Sequence, residues 1–327
     1  MSDRLRARLT VLAVTALSFA VLAMIVRARP LANILVLVVA VGSPYVPWVA
    51  LSGLTLATLC RRILLSVVAV AVAAATVAVQ VSWYHVGRPI AVGHHADIRV
   101  LSANLRRGQA DASSFVALAV ERADVVTVSE LTPDEIQRFS QAGIEKAFPH
   151  SLLIPAPGAG GIGLWSRFPL GAVVPNAGIA AARLRVPGVR FDPLVASVHV
   201  TSPVAAADAH SFDKWRRGIT AAKVRLAAFA ATAGQAAVIA AGDYNSTPDM
   251  REFRDLLTDG YRDAVHQTGA GFLPTFPSSA WYPPLLTIDH VLTRHAAVSS
   301  IGTVDIRGSD HRALLATIQV PLDPTAS

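Results

Sequence analysis

The chain has 327 residues, of which 53% are hydrophobic, and a formal net charge of +7. Residues 1–96 contain eight arginines and one acid, whereas residues 97–327 contain 21 basic and 21 acidic residues. The neutral second part excludes the bulk positive charge with which proteins attract polyanions, although it leaves room for a local basic patch. The single cysteine, Cys60, excludes a disulfide, a cysteine nucleophile and a thiolate zinc site from residues 97–327.

The first part of the chain contains three apolar runs without a charged residue: Leu9–Val26, Leu31–Cys60 and Ile63–Tyr84. Runs of this length are typical of membrane spans. A cleaved signal peptide would explain only the first of them. The middle run is interrupted by a glycine and two prolines, and each half is short for a bilayer. We interpret it as one kinked span, with a bent pair of spans as the alternative.

The arginines predict the orientation of these spans. With three spans, five arginines of residues 1–96 lie on the side of the N-terminus and three lie on the other side. Because basic residues favour the cytoplasmic side, the N-terminus is expected inside and everything after Trp83 outside the cytoplasm. An even number of spans would instead leave the C-terminal part in the cytoplasm. We therefore expect a membrane anchor with linker over residues 1–96 and one soluble domain over residues 97–327.

The soluble part alternates short apolar strands with turns and two helical patterns, which indicates an α+β domain with sheets covered by helices. Gly158–Gly163 matches the GxGxxG pattern of dinucleotide-binding proteins, but prolines precede it and a strand-like stretch follows, so we interpret it as a turn. The predicted strands are Ile98–Ser102, Val125–Val128, Gly163–Ser166, Pro193–His199, Ala237–Ala241, Ile288–Leu292 and Leu314–Val320, and the predicted helices are Ser113–Arg122 and Lys214–Thr232.

Polar residues follow six of the predicted strands or stand at their ends. Taken singly, each of these residues has a structural explanation, such as a loop cap, an Asx turn or a hydrogen-bonded core histidine. Their recurrence at six strand ends indicates a common site, because carboxylate and amide oxygens suit a hard cation or a positioned water. The residues are Asn104, Glu130, His199, Asp243 with Asn245, Asp289 beside His290, and Asp310 with His311.

The stretches that carry these residues resemble the endonuclease/exonuclease/phosphatase superfamily, the DNase I-like phosphoesterases. They are Ser-Ala-Asn104-Leu, Val-Ser-Glu130-Leu, Trp-Ser-Arg167-Phe-Pro-Leu, Ser-Val-His199-Val, Gly-Asp243-Tyr-Asn245, Ile-Asp289-His-Val-Leu and Gly-Ser-Asp310-His311-Arg. They cover residues 97–320 in family order. The preceding apolar runs are similar to those of a membrane-bound bacterial branch, which implies a multi-pass protein of the bacterial inner or plasma membrane.

The resemblance implies a four-layer α-β-β-α sandwich, preceded here by about three transmembrane helices. It also implies roles: Glu130, Asn104 and Asp310 for Mg²⁺ or Mn²⁺, Asp243 and Asn245 for the attacking water, and Asp289 for fixing His311. His311 and His199 would stabilise charge on the phosphoryl oxygens or protonate the leaving oxygen. No residue is assigned to an organic cofactor. Ser129 and Ala313 depart from the glutamine and proline of many members, but neither position supplies a group to the chemistry.

Three functions are consistent with the sequence. The first is a membrane-anchored, Mg²⁺-dependent phosphoesterase that hydrolyses a phosphodiester or a phosphomonoester, with a lipid head group or a small phosphodiester as the expected substrate. The second is a DNA endonuclease or exonuclease of the same fold, although the insertions with which nuclease members grip DNA are not recognisable. The third is an inactive, membrane-tethered binding module. No motif indicates a protein partner. The proline- and aromatic-rich residues 270–285 predict an ordered loop that either rests on the membrane surface or packs as a lid.

Overall fold

The computed structural model describes residues 1–173, 179–204, 208–278 and 281–325. Within these residues the chain divides into two compact units. A helical unit comprises residues 1–86 together with 248–254, and a second unit comprises residues 87–247 and 255–327. The short segment Pro248–Arg254 therefore groups with the helices although it lies inside the soluble part of the sequence.

The helical unit is built from the apolar runs. Two of its helices are each long and apolar enough to cross a membrane, and the middle pair is bent by 45° at the interruption that contains Pro44. The bent pair counts as one broken span or a re-entrant loop, which gives two or up to three candidate spans by length and composition. The helices are α1 (Asp3–Ala28), α2 (Ile34–Val41), α3 (Val46–Leu59) and α4 (Ile63–Tyr84), with a 3₁₀ turn at Ser43–Tyr45.

Small residues let these helices approach each other closely. A Cβ added to Gly53 in α3 would lie 2.9 Å from Leu17 Cγ in α1, so no larger residue fits at this crossing without a shift. Ala13, Ala20 and Ala50 are fully buried in the same unit. Small residues at helix crossings are typical of bundles whose outer faces are apolar, because close packing then replaces the hydrophobic driving force.

The second unit contains two six-stranded sheets among its described residues. The strand order is β11-β12-β1-β2-β4-β3 in one and β5-β6-β7-β8-β10-β9 in the other. The strands are β1 (His95–Asn104), β2 (Val125–Ser129), β3 (His150–Ile154), β4 (Ile162–Ser166), β5 (Leu170–Val173), β6 (Ala180–Leu184), β7 (Leu194–His199), β8 (Val238–Asp243), β9 (Arg262–Asp263), β10 (Asp289–Arg294), β11 (Ala297–Asp305) and β12 (Arg312–Pro321).

Helices cover both sheets. Strands β1, β2 and β4 contact β6, β7 and β8, and Ser197 Oγ in β7 donates to Val128 O in β2 at 2.9 Å, so the sheets pack face to face. Phe115 and Phe139 stack at 5.0 Å over the first sheet, while the longest helix of this unit, Ser211–Ala233, packs against β7 and β8. The helices are α5 (Ala112–Arg122), α6 (Pro133–Gln141), α7 (Ile144–Ala147), α8 (Ser211–Ala233) and α10 (Ala264–Thr268), and α9 (Arg251–Arg254) belongs to the helical unit.

The predicted α-β-β-α sandwich is confirmed. Each of the seven predicted strands and both predicted helices corresponds to an observed element within a few residues. The strands that the sequence did not predict include both edges of each sheet, β11 and β3 in one and β5 and β9 in the other. Edge strands are short or partly exposed, so they lack the continuous apolar run that identifies a buried strand.

Two further expectations concern loops. The glycine-rich stretch Gly158–Gly163 is a turn that enters a strand, as predicted: residues 158–161 lie between β3 and β4, and Ile162 and Gly163 begin β4. Of residues 270–285, Ser279 and Ala280 lie outside the described residues. The described residues of this range form no helix or strand, and Phe276 forms an isolated bridge with Leu286.

Candidate active site

Each sheet contains one central parallel pair of strands, and the carboxyl ends of these pairs carry the polar residues. In β1 and β2, Asn104 lies opposite Ser129, which directly precedes Glu130. In β7 and β8, His199 lies opposite Asp243. Parallel strands end at the same edge of a sheet, so each pair delivers two polar positions to one edge.

Antiparallel strands bring the remaining residues to the same edges. Strand β10 begins with Asp289, which lies opposite Asp243 at the end of β8. Strand β12 runs antiparallel to β1 and begins directly after His311. The N-terminal ends of β10 and β12 therefore meet the C-terminal ends of β8 and β1.

Asn104 connects the two sheets. Its Nδ2 donates to Glu130 Oε1 at 3.2 Å and to Asp243 Oδ2 at 3.0 Å, and its Oδ1 accepts from the Arg106 amide at 2.8 Å. The Arg107 amide donates to Glu130 Oε2 at 2.8 Å. The turn after β1 thus holds both Asn104 and Glu130 with backbone amides.

Strained backbone accompanies these contacts. Arg106, Arg107, Glu130 and Asn245 all have positive φ, between 46° and 60°. Each such residue costs about 1–3 kcal/mol and persists only where surrounding contacts enforce it, a pattern typical of functional sites. Gly161 lets the backbone after Glu130 approach closely, because a Cβ at this position would lie 1.8 Å from the carbonyl oxygen of Leu131.

Asp243 is fully enclosed, with 1% of its surface exposed. The Asn245 amide donates to its Oδ1 at 2.8 Å, and Asn245 Nδ2 contacts its Oδ2 at 3.1 Å. Burial and then the charge of Asp289 raise the pKa of Asp243 to about 6, against the opposing effects of His311, His199 and the Asn245 amide. The carboxyl group therefore loses its proton just below neutral pH.

His311 forms a buried pair with Asp289. Its Nδ1 lies 2.8 Å from Asp289 Oδ2, and its Nε2 faces Asp243 Oδ2 at 3.9 Å. Burial by itself disfavours the imidazolium, but the charge and hydrogen bond of Asp289, followed by the charges of Asp243 and Asp310, outweigh it and raise the pKa of His311 to about 10. His311 is therefore a cation at neutral pH.

His199 stands between the two carboxylates of the strand ends. Its Nε2 lies 3.9 Å from Asp243 Oδ2 and 4.0 Å from Glu130 Oε1. These distances are too long for hydrogen bonds but short enough for a direct electrostatic interaction. The ring is almost buried, with its nitrogen directed at the centre of the site.

Asp310 lies at the rim of the site and is partly exposed. Its carboxylate is 3.9 Å from Arg106 Nε, and its backbone oxygen accepts from the Ser278 amide at 2.6 Å. The neighbouring Ser309 Oγ donates to Asn104 O at 2.7 Å, which ties the loop before His311 to the end of β1. The structure thus brings all eight predicted residues to one edge, with Asp310 at its periphery.

The sequence did not identify the support beneath the site. His290 points away from Asp289 and contacts Asp263 Oδ2 through Nδ1 at 2.9 Å and Ser246 O through Nε2 at 2.9 Å. Trp215 Nε1 also donates to Ser246 Oγ at 3.0 Å. The residue after Asn245 is therefore fixed from two sides, by residues that share no recognisable motif with it.

The arrangement suits a divalent cation. Among the described residues, Asp243, Asp289 and His311 have ligand atoms within 4.8 Å of one another. The carboxylate of Glu130 lies near this group, because Asn104 Nδ2 donates to both Glu130 and Asp243. Burial and then the charge of Asp289 raise the pKa of Asp243, and a hard cation beside the two carboxylates would offset both effects. Oxygen donors from Glu130, Asn104 and Asp310 match the ligand chemistry of Mg²⁺.

Comparison with known proteins agrees with this geometry. A model of the Endonuclease/Exonuclease/phosphatase family matches residues 100–311. The chain belongs to this family. Members of the family are mostly metal-dependent phosphoester hydrolases, and the family generally uses a divalent metal. A search of curated proteins gives no match.

Solved structures show the same fold. An endonuclease/exonuclease/phosphatase from Beutenbergia cavernae is 19% identical, with a TM-score of 0.52 over 70% of this chain and 72% of the other. A 3′ phosphatase, NExo, from Neisseria bound to product DNA hairpin is 16% identical, with a TM-score of 0.56 over 67% of this chain and 98% of the other. TDP2 from D. rerio complexed with single strand DNA product is 17% identical, with a TM-score of 0.51 over 68% of this chain and 99% of the other.

We expect Asp289→Asn to lower the pKa of His311 from about 10 toward its ordinary value of 6.5, because the largest of the charges that oppose the effect of burial would be lost while those of Asp243 and Asp310 remain. Titration of the imidazole signals of the full-length protein by NMR measures this value. Asp305→Asn is the matched control, since Asp305 is exposed and pairs with Arg312. A His311 imidazolium that persists to the same pH in Asp289→Asn would contradict the assignment.

Proposed function

We propose that the protein is a membrane-anchored, Mg²⁺-dependent phosphoesterase that hydrolyses its substrate by direct attack of water. The observation that carries the proposal is the convergence of Glu130 and Asn104 from one sheet with Asp243 and Asn245 from the other, beside the Asp289–His311 pair. Asp243 ionises near neutral pH, His311 is a cation at neutral pH, and Glu130 and Asn104 supply a carboxylate and an amide as ligands. Metal-assisted hydrolysis of a phosphoester uses groups of these three kinds.

The metal ligands in this proposal are Glu130, Asn104 and Asp310. When bound, Mg²⁺ or Mn²⁺ would neutralise charge on the phosphate and polarise the phosphorus–oxygen bond. The backbone amides of Arg106 and Arg107 hold Asn104 Oδ1 and Glu130 Oε2, and Asn104 Nδ2 faces Glu130 Oε1. The Asn104 side chain would therefore turn its oxygen toward a cation that binds beside Glu130.

Asp243 and the two histidines, His311 and His199, carry out the proton transfers in this proposal. Asp243, ionised above pH 6, accepts a proton from a water that Asn245 orients, and the resulting hydroxide attacks phosphorus. The ester bond to the leaving oxygen then breaks. His311, kept protonated by Asp289, and His199 donate N–H bonds to the phosphoryl oxygens or a proton to the leaving oxygen. The alternative of an inactive binding module is disfavoured because each of these groups is present.

The substrate class that we propose is a lipid head group or another small phosphoester. A groove of about 1030 Å³ begins at Arg106 and Asp310 and is lined further out by aromatic and proline residues. Trp281 is 92% exposed at its outer wall. Tryptophan and tyrosine favour the membrane–water interface, and the domain carries no net charge with which to hold a long polyanion. A nuclease remains the second candidate, since related structures hold DNA products.

The membrane arrangement that we propose has three crossings. Within the helical unit, Cys60 Sγ lies 3.6 Å from Arg6 O, so the end of the middle run lies beside the start of α1. The bent α2–α3 pair therefore returns to the side from which α1 started, as one interrupted span. α4 makes the third crossing, which leaves residues after Tyr84 on the side opposite the N-terminus and, with the arginine bias, outside the cytoplasm.

Loss of the Glu130 carboxylate tests the metal assignment. We expect Glu130→Gln to lower Mg²⁺-stimulated turnover of bis-p-nitrophenyl phosphate by about 100-fold or more, because even the partners of metal ligands are worth about 10–100-fold. The purified full-length protein is assayed with and without EDTA. Glu145→Gln, an exposed change on α7, is the control and should leave turnover unchanged. Full activity of Glu130→Gln, or of the unaltered protein in EDTA, would contradict the assignment.

A substrate panel tests the substrate class. We expect the full-length protein with Mg²⁺ to turn over sphingomyelin, phospholipids, inositol phosphates or bis-p-nitrophenyl phosphate faster than it nicks plasmid DNA at physiological salt. Trp281→Ala should lower turnover of lipid in vesicles by about 10-fold and leave turnover of a soluble diester unchanged, because interfacial contact is lost. Val224→Ala is the matched exposed apolar control on α8.

Efficient nicking of plasmid DNA with no turnover of a lipid or small phosphoester would overturn this substrate class and favour the nuclease. A steep loss of DNA cleavage with rising salt would then identify a local basic strip as the binding surface.

Reporter fusions test the three crossings. A reporter that is active only after export should be active when fused after Ser327, because an odd number of spans places the C-terminus opposite the arginine-rich N-terminus. The matched fusion at Met1 should be inactive. Signal at Ser327 from a reporter that works only in the cytoplasm would show an even number of spans and a split of residues 31–60.

A further inference from the structure

The segment Pro248–Arg254 follows the active-site stretch by a few residues but belongs to the helical unit. Thr247 is the last residue of the second unit before this segment, and Pro248 is the first residue of the segment. Only Ser246 and Thr247 therefore separate Asn245 from the helical unit along the chain.

An ion pair between a partly exposed arginine and a buried aspartate fixes this segment to two helices at once. Arg27 Nε, in the last turn of α1, lies 2.6 Å from Asp249 Oδ1, and Gln80 Nε2 of α4 lies 3.2 Å from the same oxygen. Asp249 is 1% exposed, and its Oδ2 has no hydrogen-bond partner in the described part of the chain. A buried carboxylate depends on its few partners, because water cannot replace them.

The segment also caps the end of α1. Arg251 Nη1 donates to Ala28 O at 3.4 Å, Arg254 Nη2 donates to Arg27 O, and Glu252 Oε1 accepts from the Leu31 amide at 2.7 Å. The last carbonyls of a helix have no partner within the helix, and guanidinium groups complement both these oxygens and the helix dipole. The segment thus completes the helix, and the helix holds the segment.

The residues just before the segment are equally constrained. Ser246 is held by His290 and Trp215, and Asn245, with φ of 46°, donates to Val200 O at 2.8 Å and to Asp243. A strained residue keeps its geometry only while the contacts on both sides of it hold. Release of Asp249 would remove the constraint on one side, four residues after Asn245.

We propose that Arg27 is a positioning residue for the active site: through Asp249 it fixes the segment Pro248–Arg254, which continues the Asp243–Asn245 stretch along the chain, and thereby keeps Asn245 in its strained conformation. The effect on catalysis rests on the proposed function. The effect on the segment and on Ser246 does not, and it can be measured without a substrate.

Arg27→Gln in the full-length protein removes the charge and keeps a polar side chain. We expect trypsin to cleave after Arg251 and Arg254 about 10-fold faster than in the unaltered protein, because the rate follows the open population of the segment. The imidazole NMR signals of His290, which contacts Ser246 O, should shift. Arg29→Gln is the matched control, since Arg29 is exposed two residues away and carries the same charge. It should change neither readout.

Turnover gives the third readout. With bis-p-nitrophenyl phosphate and Mg²⁺, Arg27→Gln should lower kcat about 10-fold and leave KM within about twofold, as expected when positioning and not binding is lost. Arg27→Lys, which keeps the cation, should recover most of kcat. Asp249→Asn should be no worse in combination with Arg27→Gln than alone, because the two residues act as a unit.

Unchanged cleavage and unchanged His290 signals in Arg27→Gln would overturn the proposal whether or not the protein hydrolyses phosphoesters. Faster cleavage with unchanged kcat would also overturn it, since the segment would then be held without positioning the site. Absence of turnover in the unaltered protein would count against the proposed function alone, and the His290 signals would still decide whether Arg27 acts on the residues beside Asn245.

Discussion

The carboxylate of Asp243 is the interaction on which the site depends. It is buried, it accepts from Asn104 of the first sheet and from Asn245 of the second, and it faces the imidazoles of His199 and His311. Burial and the nearby charge of Asp289 raise its pKa, and the two histidines oppose the rise. The same carboxylate therefore joins the sheets and remains able to take up a proton near neutral pH, which a surface aspartate cannot do.

Strand order explains why these groups meet. Each sheet carries a parallel pair whose carboxyl ends supply two polar positions, and antiparallel neighbours return Asp289 and the residues before β12 to the same edges. Face-to-face packing of the sheets then superposes the two edges. Side chains at such a site cost stability, since ionised groups are buried and four residues have positive φ, and the surrounding apolar core compensates for that cost.

The apolar helices have a second role in our interpretation. Helices that served only as a tether would need no polar contacts with residues beyond the linker. Instead, the end of α1 is completed by Pro248–Arg254, and an ion pair between Arg27 and the buried Asp249 is at its centre. Removing one partner of such a pair typically costs about 3–5 kcal/mol, because the other charge is left buried. The fold of the helical unit therefore includes Pro248–Arg254, a segment from inside the soluble part of the sequence.

The sequence by itself determined the α+β class, seven of the eight interior strands and the apolar helices, and it predicted the eight polar residues, because buried strands have continuous apolar runs and polar residues at their ends are conspicuous. It did not determine the edge strands, whose partial exposure removes that pattern, nor the support of Ser246 by His290 and Trp215. It also gave no sign that Pro248–Arg254 belongs with the helices. Arg27 and Asp249 are 222 positions apart, and only the tertiary structure brings them together, because ion pairing leaves no periodic trace in a sequence.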